Sequence, residues 1–459
     1  MTADKGSFDI NPLFARPGEA SERPKFALAD DSMLPETAYQ VVQDEAMLDG
    51  NARLNLATFV GTWMDPMANK LYIESFDKNM IDKDEYPATA EIETRCWKIL
   101  ARLWHAPDPE VTVGTSTIGS SEACMLGGLA FKRRWQAARR TAGKPTGAPN
   151  IVMSSAVQVC WEKFANYFDV EARYVPISED HKTLDGHNLA AYVDENTIGV
   201  VAIMGVTFTG MYEQVKEIAA ALDQVEKDTG LDVPIHIDGA SGGFVAPFLQ
   251  PDLEWDFRLA RVKSINTSGH KYGLVYPGLG WVVWRSAEYL PDDLIFKVSY
   301  LGGEMSTFAL NFSRPGAQVL LQYYNFLRLG RSGYTAVQRA SHDIARYLAE
   351  QISKMEPFEL WNDAADIPVF AWRLKEGYTC KWDLYDLGNH LRQFGWLIPA
   401  YPMPADMTDL TVQRIVVRNG LSMGLADALV DRLQTAVRYL DGLESPLPHE
   451  GRITTAFHH

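Results

Sequence analysis

Short runs rich in Val and Ile alternate with helical stretches through the middle of the chain, and this alternation most constrains its fold. Strands that alternate with helices form mostly parallel sheets that are covered on both faces. We therefore predict an α/β fold that binds its ligand at the carboxyl ends of the strands. The predicted helices include 121–141 and Glu213–Thr229, and the apolar runs are Ile151–Ser154, Ala172–Ile177, Ile198–Val206, Pro234–Ile237, Val262–Ile265 and Trp281–Trp284.

The flanking regions predict two further parts. Residues 1–53 are rich in Pro, Asp and Glu and predict an N-terminal arm with one helix around Glu36–Leu48. The large domain with the mostly parallel sheet would cover 54–341, and a small α+β C-terminal domain would cover 342–459. The segments behind this division are helical stretches at 316–329, 332–355, 382–394 and 424–442, and strand-like Val369–Leu374 and Gln413–Val417.

The charge and cysteine content exclude several classes of protein. Of the 459 residues, 59 are acidic and 43 are basic, and the resulting net charge of −16 argues against binding to nucleic acid or to an anionic membrane. The four cysteines are scattered, the N-terminus is polar, and no apolar stretch could span a bilayer. We predict a cytoplasmic protein. The dispersed histidines predict no metal site.

Two strand ends carry residues typical of one cofactor chemistry. Asp238 follows the run PIHI within HIDGASGG, and Lys271 follows the next run within INTSGHKYG. Alone, such a lysine is usually a solvated charge and such an aspartate a turn residue. Together they favour pyridoxal 5′-phosphate (PLP), whose aldehyde forms a Schiff base with lysine and whose pyridinium needs a carboxylate partner.

A phosphate site is predicted where TIGSSEA, residues 117–123, precedes an apolar helix. Backbone N–H groups and serine hydroxyls at a helix N-terminus bind phosphate well. The alternative is that Ser120 is only the capping residue of that helix. Gln158, just after the strand-like IVMSS, is a candidate for covering the face of the cofactor ring.

These motifs resemble those of the glutamate decarboxylases, which are PLP enzymes with the aspartate aminotransferase fold. The resemblance covers about 35–440 and the last residues, and it implies α-decarboxylation of L-glutamate to 4-aminobutyrate (GABA) and CO2 with uptake of a proton. Besides HIDGASGGF, NTSGHKYG and TIGSSEA, the matching stretches are LDGNARLNLATF (48–59), IDKDEYP (81–87), RLWHAP (102–107), GVTFTG (205–210), YLGGEMSTFALNFSRPG (300–316) and the final TAFHH.

The resemblance also implies roles around the cofactor. Lys271 would hold PLP covalently, Asp238 would pair with the pyridine nitrogen, and Ala240 and Gln158 would cover opposite faces of the ring. Thr207 would lie near the ring oxygen. The phosphate would be bound by Ser120, Ser121, Ser268 and His270, with Ser313 reaching the phosphate of the partner subunit.

For the substrate, the resemblance implies that Arg418 binds the α-carboxyl group. Thr58, Phe59 and Asp82 would contact the distal carboxylate, and Tyr300 and Leu301 would lie on a flap that closes over a neighbouring site. Lys271 or Tyr300 would protonate the product. Because Asp82 would face a carboxylate, we expect a shared proton and an acidic pH optimum.

Assembly and regulation are also implied by the resemblance. The family forms homodimers or higher oligomers such as hexamers, and some members serve acid resistance. His459 of the final His458–His459 pair would cap the site at neutral pH, unless these residues are a disordered tail or a cloning remnant. We predict no calmodulin binding, because the C-terminus lacks a basic amphipathic helix.

Three alternatives remain open from the sequence. The chain could be a PLP decarboxylase for aspartate or an aromatic amino acid, although Thr58 and Asp82 favour an acidic side chain. It could bind PLP without catalysis, although Lys271, Asp238 and Arg418 are all present. A flavodoxin-like binding module would instead carry no PLP and no lysine that borohydride could trap.

Overall fold

The computed structural model describes residues 25–298 and 305–447. The chain divides into two compact units between Asn55 and Leu56. In the first unit, helix α1 spans Pro35–Ala46 and begins with a proline, whose fixed φ and missing N–H suit the first helical position. This confirms the helix predicted around Glu36–Leu48.

The second unit contains the remaining α-helices and all of the strands. Its helices are α2 (Pro66–Ile73), α3 (Pro87–Leu103), α4 (Ser120–Thr141), α5 (Val159–Tyr167), α6 (Val215–Thr229), α7 (Ala246–Leu249), α8 (Ala317–Ser353), α9 (Leu384–Arg392) and α10 (Met423–Asp441). Its strands are β1 (Val113–Thr117), β2 (Asn150–Ser154), β3 (Glu171–Val175), β4 (Thr197–Ile203), β5 (Ile235–Asp238), β6 (Val262–Thr267), β7 (Gly280–Trp284), β8 (Phe296–Val298), β9 (Met305–Thr307), β10 (Phe358–Leu360), β11 (Val369–Leu374), β12 (Ala400–Pro402) and β13 (Thr411–Val416).

A seven-stranded sheet forms the centre of this unit, in the order β1-β7-β6-β5-β4-β2-β3. Strands β3, β2, β4, β5 and β6 run parallel, and β7 is antiparallel to both of its neighbours. The six apolar runs form β2 to β7, which confirms the predicted α/β fold with a mostly parallel sheet. The carboxyl ends of the parallel strands therefore meet at one edge, where such sheets bind ligands.

Burial explains why these runs are apolar on both faces. Every residue of β2, β4 and β5 is buried, because helices cover the sheet on both sides. The core includes Val152, Val200, Ile237 and Ile265 from the strands and large side chains such as Trp104. Strand β1 was not predicted, because its sequence VGTST has little apolar character.

A second sheet has the order β10-β11-β13-β12, with every pairing antiparallel. It confirms the predicted strands Val369–Leu374 and Gln413–Val417, and α9 and α10 confirm the two helices of this region. The domain boundaries expected at residues 53 and 341 stay predictions. Among the described residues, no helix has both the length and the apolar character needed to span a membrane.

Candidate active site

Asp238 is the last residue of β5 and is 3% exposed. Its Oδ2 accepts a hydrogen bond from Nε1 of Trp161 at 2.9 Å. Its Oδ1 accepts from Nδ2 of Asn266 and from the backbone N–H of Ala240, both at 3.1 Å. Hydrogen bonds to a carboxylate stabilise its charged form, so this arrangement favours a buried negative charge at the ligand edge of the sheet.

A buried chain of polar groups fixes the orientation of Asn266. Because Nδ2 of Asn266 donates to Asp238, its Oδ1 accepts from Nε2 of His236 at 2.8 Å. Nδ1 of His236 then accepts from the hydroxyl of Ser264 at 2.7 Å. Burial lowers the pKa of His236 to about 4, so this imidazole stays neutral.

Two buried thiols lie on the same side of Asp238. Ligand atoms of Cys124, Cys160 and Asp238 lie within 4.8 Å of one another. Burial raises the pKa of the Cys124 thiol well above its usual value, so the thiol stays protonated and donates to Asp238 at 3.6 Å. A protonated thiol is a poor metal ligand. The absence of a metal site stays a prediction.

Lys271 follows β6 and is half-buried. Its Nζ lies 5.0 Å from the centre of the Phe59 ring. Burial lowers the pKa of the Lys271 amine, while the negative charge of Asp238 opposes this shift. A lysine with a lowered pKa is neutral more often and is therefore a better nucleophile toward an aldehyde.

Hydroxyl groups and a helix N-terminus lie beside the Lys271 segment. Oγ of Ser120, the first residue of α4, lies 2.7 Å from Oγ of Ser268. The N-cap position belongs to Gly119, and no side chain caps this helix. The alternative interpretation of Ser120 as the capping residue is therefore wrong, and its hydroxyl is directed toward the Lys271 segment instead. Ser121 is exposed next to it.

His270 completes this group of donors. Its Nδ1 accepts the backbone N–H groups of Gly278 at 3.3 Å and Leu279 at 3.1 Å. Burial lowers the pKa of His270 to about 4, so the ring is neutral and carries its proton on Nε2. Gly119 lies so close that a Cβ there would be 3.0 Å from Cε1 of His270. The donors and the helix terminus suit a phosphate.

Arg414 is a residue of this site that the sequence reasoning missed. It is 7% exposed and donates to the backbone oxygen of Ala57 at 2.6 Å and to that of Thr207. Its guanidinium carbon lies 4.9 Å from the centre of the Phe59 ring. Arg414 thus holds the segment with Phe59 against the loop with Thr207. The available signal was an arginine inside the buried strand β13.

The predicted substrate residues fall into two groups. Arg418, which is 8% exposed, donates to the backbone oxygen of Val60, next to buried Phe59 and exposed Thr58. Asp82 is half-buried in the loop between α2 and α3.

Ser313 lies near the loop with Asp82, since its Oγ accepts from Nδ2 of Asn79 at 3.3 Å. Among the described residues, neither Asp82 nor Ser313 has a hydrogen bond to Lys271 or Asp238. Their predicted roles stay predictions.

The remaining predicted residues border the same edge of the sheet or lie outside the described residues. Oε1 of Gln158 accepts from the backbone N–H of Cys160 at 2.6 Å, so this side chain caps α5 after β2. The backbone oxygen of Ala240 accepts from the N–H of Ser268 at 3.1 Å and joins the Asp238 and Lys271 segments. Tyr300, Leu301 and His459 lie outside the described residues.

The donor set fits PLP on chemical grounds. A buried carboxylate suits a protonated pyridine nitrogen, and an amine with a lowered pKa suits an aldehyde. The hydroxyls of Ser120 and Ser268, the imidazole of His270 and the N-terminus of α4 suit the phosphate. The pyridine nitrogen, the aldehyde and the phosphate of PLP therefore each have a matching group at this edge of the sheet.

Comparisons with known proteins agree with this chemistry. Residues 29–375 match the pyridoxal-dependent decarboxylase conserved domain. The chain is 53% identical over 441 residues to a glutamate decarboxylase of Aliivibrio fischeri, covering 96% of this chain and 94% of that protein. It is 50% identical over 440 residues to the glutamate decarboxylase of Lactococcus lactis subsp. cremoris, covering 95% and 94%.

A solved structure is similar over nearly the whole chain. The glutamate decarboxylase of Lactobacillus brevis superposes with a TM-score of 0.91 at 49% identity, covering 94% of this chain and 98% of that one. Identity of this extent, together with the domain match, reaches well beyond a shared fold. The chain therefore belongs to the family of pyridoxal-dependent decarboxylases.

Proposed function

We propose that this protein is a PLP-dependent glutamate decarboxylase, which converts L-glutamate and a proton to GABA and CO2. The observation that carries the proposal is the pair of Lys271 and Asp238 at the ends of adjacent parallel strands. The extensive identity to proteins named glutamate decarboxylase supports glutamate as the substrate. The family resemblance of LNLATF and DKDEYP, which contain Thr58 and Asp82, points the same way.

Lys271 and Asp238 divide the work at the cofactor. Bound PLP supplies an electron sink for the bond that joins the α-carbon to its carboxylate. Asp238 accepts hydrogen bonds from Trp161, Asn266 and Ala240, and its carboxylate would pair with the protonated pyridine nitrogen of the cofactor. Lys271 would hold the cofactor through its Nζ, because burial lowers the pKa of this amine below that of an exposed lysine.

The other side chains bind and orient. Ser120, Ser121, Ser268 and His270 bind the phosphate, with Ser313 contributed across a subunit interface. By the family resemblance, Ala240 and Gln158 would cover the two faces of the ring, and Thr207 would lie near the ring oxygen.

Substrate recognition needs one group for each glutamate carboxylate. Arg418 binds the α-carboxylate, because a guanidinium can hold two carboxylate oxygens at once. Thr58, Phe59 and Asp82 bind the distal carboxyl group, and Asp82 shares a proton with it. Either Lys271 or Tyr300 returns a proton to the α-carbon, which completes the uptake of one proton per turnover.

We also propose a cytoplasmic homo-oligomer built from dimers. Large apolar side chains exposed on and near α2 support a subunit interface, since such patches mark interaction sites. Trp63 is 53% exposed, Met67 59%, Ile73 66% and Phe76 69%. The predicted flap role of Tyr300 and Leu301 and the predicted capping role of His459 stay predictions, since these residues lie outside the described ranges. Sedimentation of the purified protein tests the oligomer.

The central test compares the wild type with Lys271→Ala and Lys263→Ala. Lys263 is a matched control, since it lies on the same strand β6 and is partly buried away from the site. We expect both the wild type and Lys263→Ala to show the absorbance of bound PLP. Each should convert glutamate to one GABA for every CO2 released. Lys271→Ala should lack the absorbance of covalently bound PLP and should produce no measurable GABA, because no other amine replaces Nζ of Lys271.

Three outcomes would contradict the proposal. Borohydride labelling of a peptide without Lys271 would refute the role of this lysine. A colourless wild-type protein would refute the cofactor. Faster decarboxylation of aspartate or an aromatic amino acid than of glutamate would refute the substrate.

A further inference from the structure

Four polar side chains of α8 are buried beside the loop that follows Lys271. They have no role in the chemistry proposed above. A polar group at such depth is unfavourable unless it is hydrogen-bonded, so its partners show what it is for. The four are Gln322 and Gln338, each 0% exposed, Tyr334, 1% exposed, and Asn325, 4% exposed.

The hydrogen bonds of these side chains converge on three consecutive backbone oxygens. Nε2 of Gln338 donates to the oxygen of Tyr272 at 2.7 Å. The hydroxyl of Tyr334 and Nε2 of Gln322 donate to the oxygen of Gly273, at 3.0 and 3.2 Å. Nδ2 of Asn325 donates to the oxygen of Leu274 at 3.0 Å. These are the three residues directly after Lys271.

The loop needs such support because its backbone is unusual. Leu274 has a φ of 65°, a left-handed conformation that a residue with a branched side chain rarely adopts. Its N–H bonds to the oxygen of Lys271 at 3.1 Å, and the N–H of Val275 bonds to the oxygen of Gly269 at 3.1 Å. A tight turn thus carries Lys271, and the donors of α8 bind the backbone oxygens of its next three residues.

The shape of α8 allows all four side chains to reach this turn. At 3.6 residues per turn, Gln322 and Tyr334 would point about 120° apart on a straight helix. The backbone leaves helical geometry at Gly330, with φ 55° and ψ −166°, between Asn325 and Tyr334. This break redirects the second half of α8, so that both halves direct donors to one loop.

The opposite side of the Lys271 segment is also held. The N–H of Gly61 donates to the backbone oxygen of His270 at 2.7 Å. The backbone on either side of Lys271 is therefore bonded to two separate parts of the fold. These hydrogen bonds fix the backbone around Lys271 and do not involve its side chain.

We propose that Gln322, Asn325, Tyr334 and Gln338 are positioning residues that hold the backbone after Lys271 so that its Nζ meets the cofactor carbonyl. The inference rests on the proposed role of Lys271. It assigns these four residues a function for the reaction beyond stabilising the fold. A substitution far from the reacting atoms that misplaces them by about 1 Å can lower a rate about a hundredfold, so a fixed loop matters for catalysis.

The test uses Gln338→Met and Asn325→Leu. Each change keeps a side chain of similar size and removes the donor to one loop oxygen. Leu348→Ala is the matched control, because Leu348 is fully buried on the same helix and its truncation destabilises without touching the loop. Tyr334→Phe is a milder variant that removes one hydroxyl and keeps the ring, whose centre lies 5.0 Å from that of Phe248.

Three measurements separate positioning from stability. The thermal midpoint of the cofactor-free proteins gives the loss of stability. The pH dependence of Lys271 acylation in the cofactor-free proteins gives the pKa of the amine, and borohydride trapping gives the rate at which PLP attaches to Lys271. Steady-state kinetics with glutamate gives kcat and KM separately.

We expect Gln338→Met and Asn325→Leu to lower the attachment rate and kcat about tenfold at nearly constant KM. The pKa of Lys271 should move up toward its ordinary value, because a looser loop exposes the amine. Leu348→Ala should lower only the thermal midpoint, and Tyr334→Phe should show smaller changes in the same direction.

Variants with reduced midpoints but the wild-type attachment rate, Lys271 pKa and kcat would overturn the inference. If Gln338→Met and Asn325→Leu do not fold, a Tyr334→Phe protein identical to the wild type would overturn it. If the wild type itself attaches no PLP at Lys271, the proposed function fails, and the inference fails with it.

Discussion

Asp238 is defined by donors that are themselves held in place. The Trp161 ring, which donates to Asp238, packs edge-on against Phe164 and His236, with ring centres 5.7 and 5.1 Å apart. Asn266 is oriented by His236, whose burial keeps it neutral. The Asp238 carboxylate therefore cannot rotate without breaking hydrogen bonds to several buried groups.

This arrangement predicts the effect of Asp238→Asn. An amide carries no charge, and its NH2 group would face donors rather than acceptors. Since a hydrogen bond to a charged group contributes about 1.5–3 kcal/mol, we expect kcat to fall about 10- to 100-fold. PLP should still attach to Lys271, because that bond needs only the amine. Steady-state assays and borohydride labelling measure the two effects.

Asp256→Asn is the control for this substitution. Asp256 is also buried, at 1% exposure, but it bonds to Arg258 and His105 away from Lys271. We expect it to lower stability and to leave kcat near the wild-type value. Equal losses of kcat in the two variants would show that Asp238 has no special role at the cofactor.

At the scale of elements, the sequence pattern predicted those strands and helices whose apolar character is visible within one segment. The apolar runs located β2 to β7, and their ends located Asp238 and Lys271. Strand β1, with its polar sequence, carried no such signal. Arg414 and the donors of α8 also went unpredicted, because their partners lie far away in sequence and only tertiary packing brings them together. The roles of the site residues stay predictions.

The variant Gly330→Ala tests the role of the break in α8. A Cβ at this position would meet no atom within 4 Å, so any effect must come from the backbone. With φ 55° and ψ −166°, a residue other than glycine is strained by about 1–3 kcal/mol. We expect the free energy of unfolding to fall by that amount in denaturant titrations, and PLP attachment to slow.

Gly230→Ala is the matched control for the break. Gly230 ends α6 with a φ of 76°, and a Cβ there would also be free of contacts. Its substitution should lower stability by about 1 kcal/mol and leave PLP attachment unchanged. If Gly330→Ala behaves in the same way, the break in α8 does not position the Lys271 loop.

For the whole molecule, buried titratable groups set how stability varies with pH. Burial lowers the pKa of His236 and His270 to about 4, below the ordinary value of 6.5. The unfolded chain therefore binds more protons than the folded chain between about pH 4 and 6.5, and both residues make stability fall as the pH is lowered through this window. Glu213 acts in the opposite direction.

Burial raises the pKa of Glu213 from 4.5 to about 8, and the nearby charge of Asp238 adds to this shift. Oε2 of Glu213 accepts the N–H of Ile203 at 2.7 Å, and among the described residues its Oε1 has no partner. Between pH 4.5 and 8 the folded chain retains a proton that the unfolded chain has lost. Stability carried by this group is therefore lost as the pH rises through that window.

Glu213→Gln tests this contribution, because glutamine keeps an oxygen for the N–H of Ile203 and is neutral at every pH. One titrating group changes the free energy of unfolding by at most about 1.4 kcal/mol per pH unit. Between pH 5 and pH 7.5 we therefore expect the stability of the variant to increase by about 3 kcal/mol relative to that of the wild type. Urea titrations at several pH values measure the gap, with exposed Glu217→Gln as the control. As the pH rises, the wild type must ionise a buried carboxyl group that the variant lacks, so the two curves of stability against pH should diverge. Parallel curves would show that other groups cause the pH dependence.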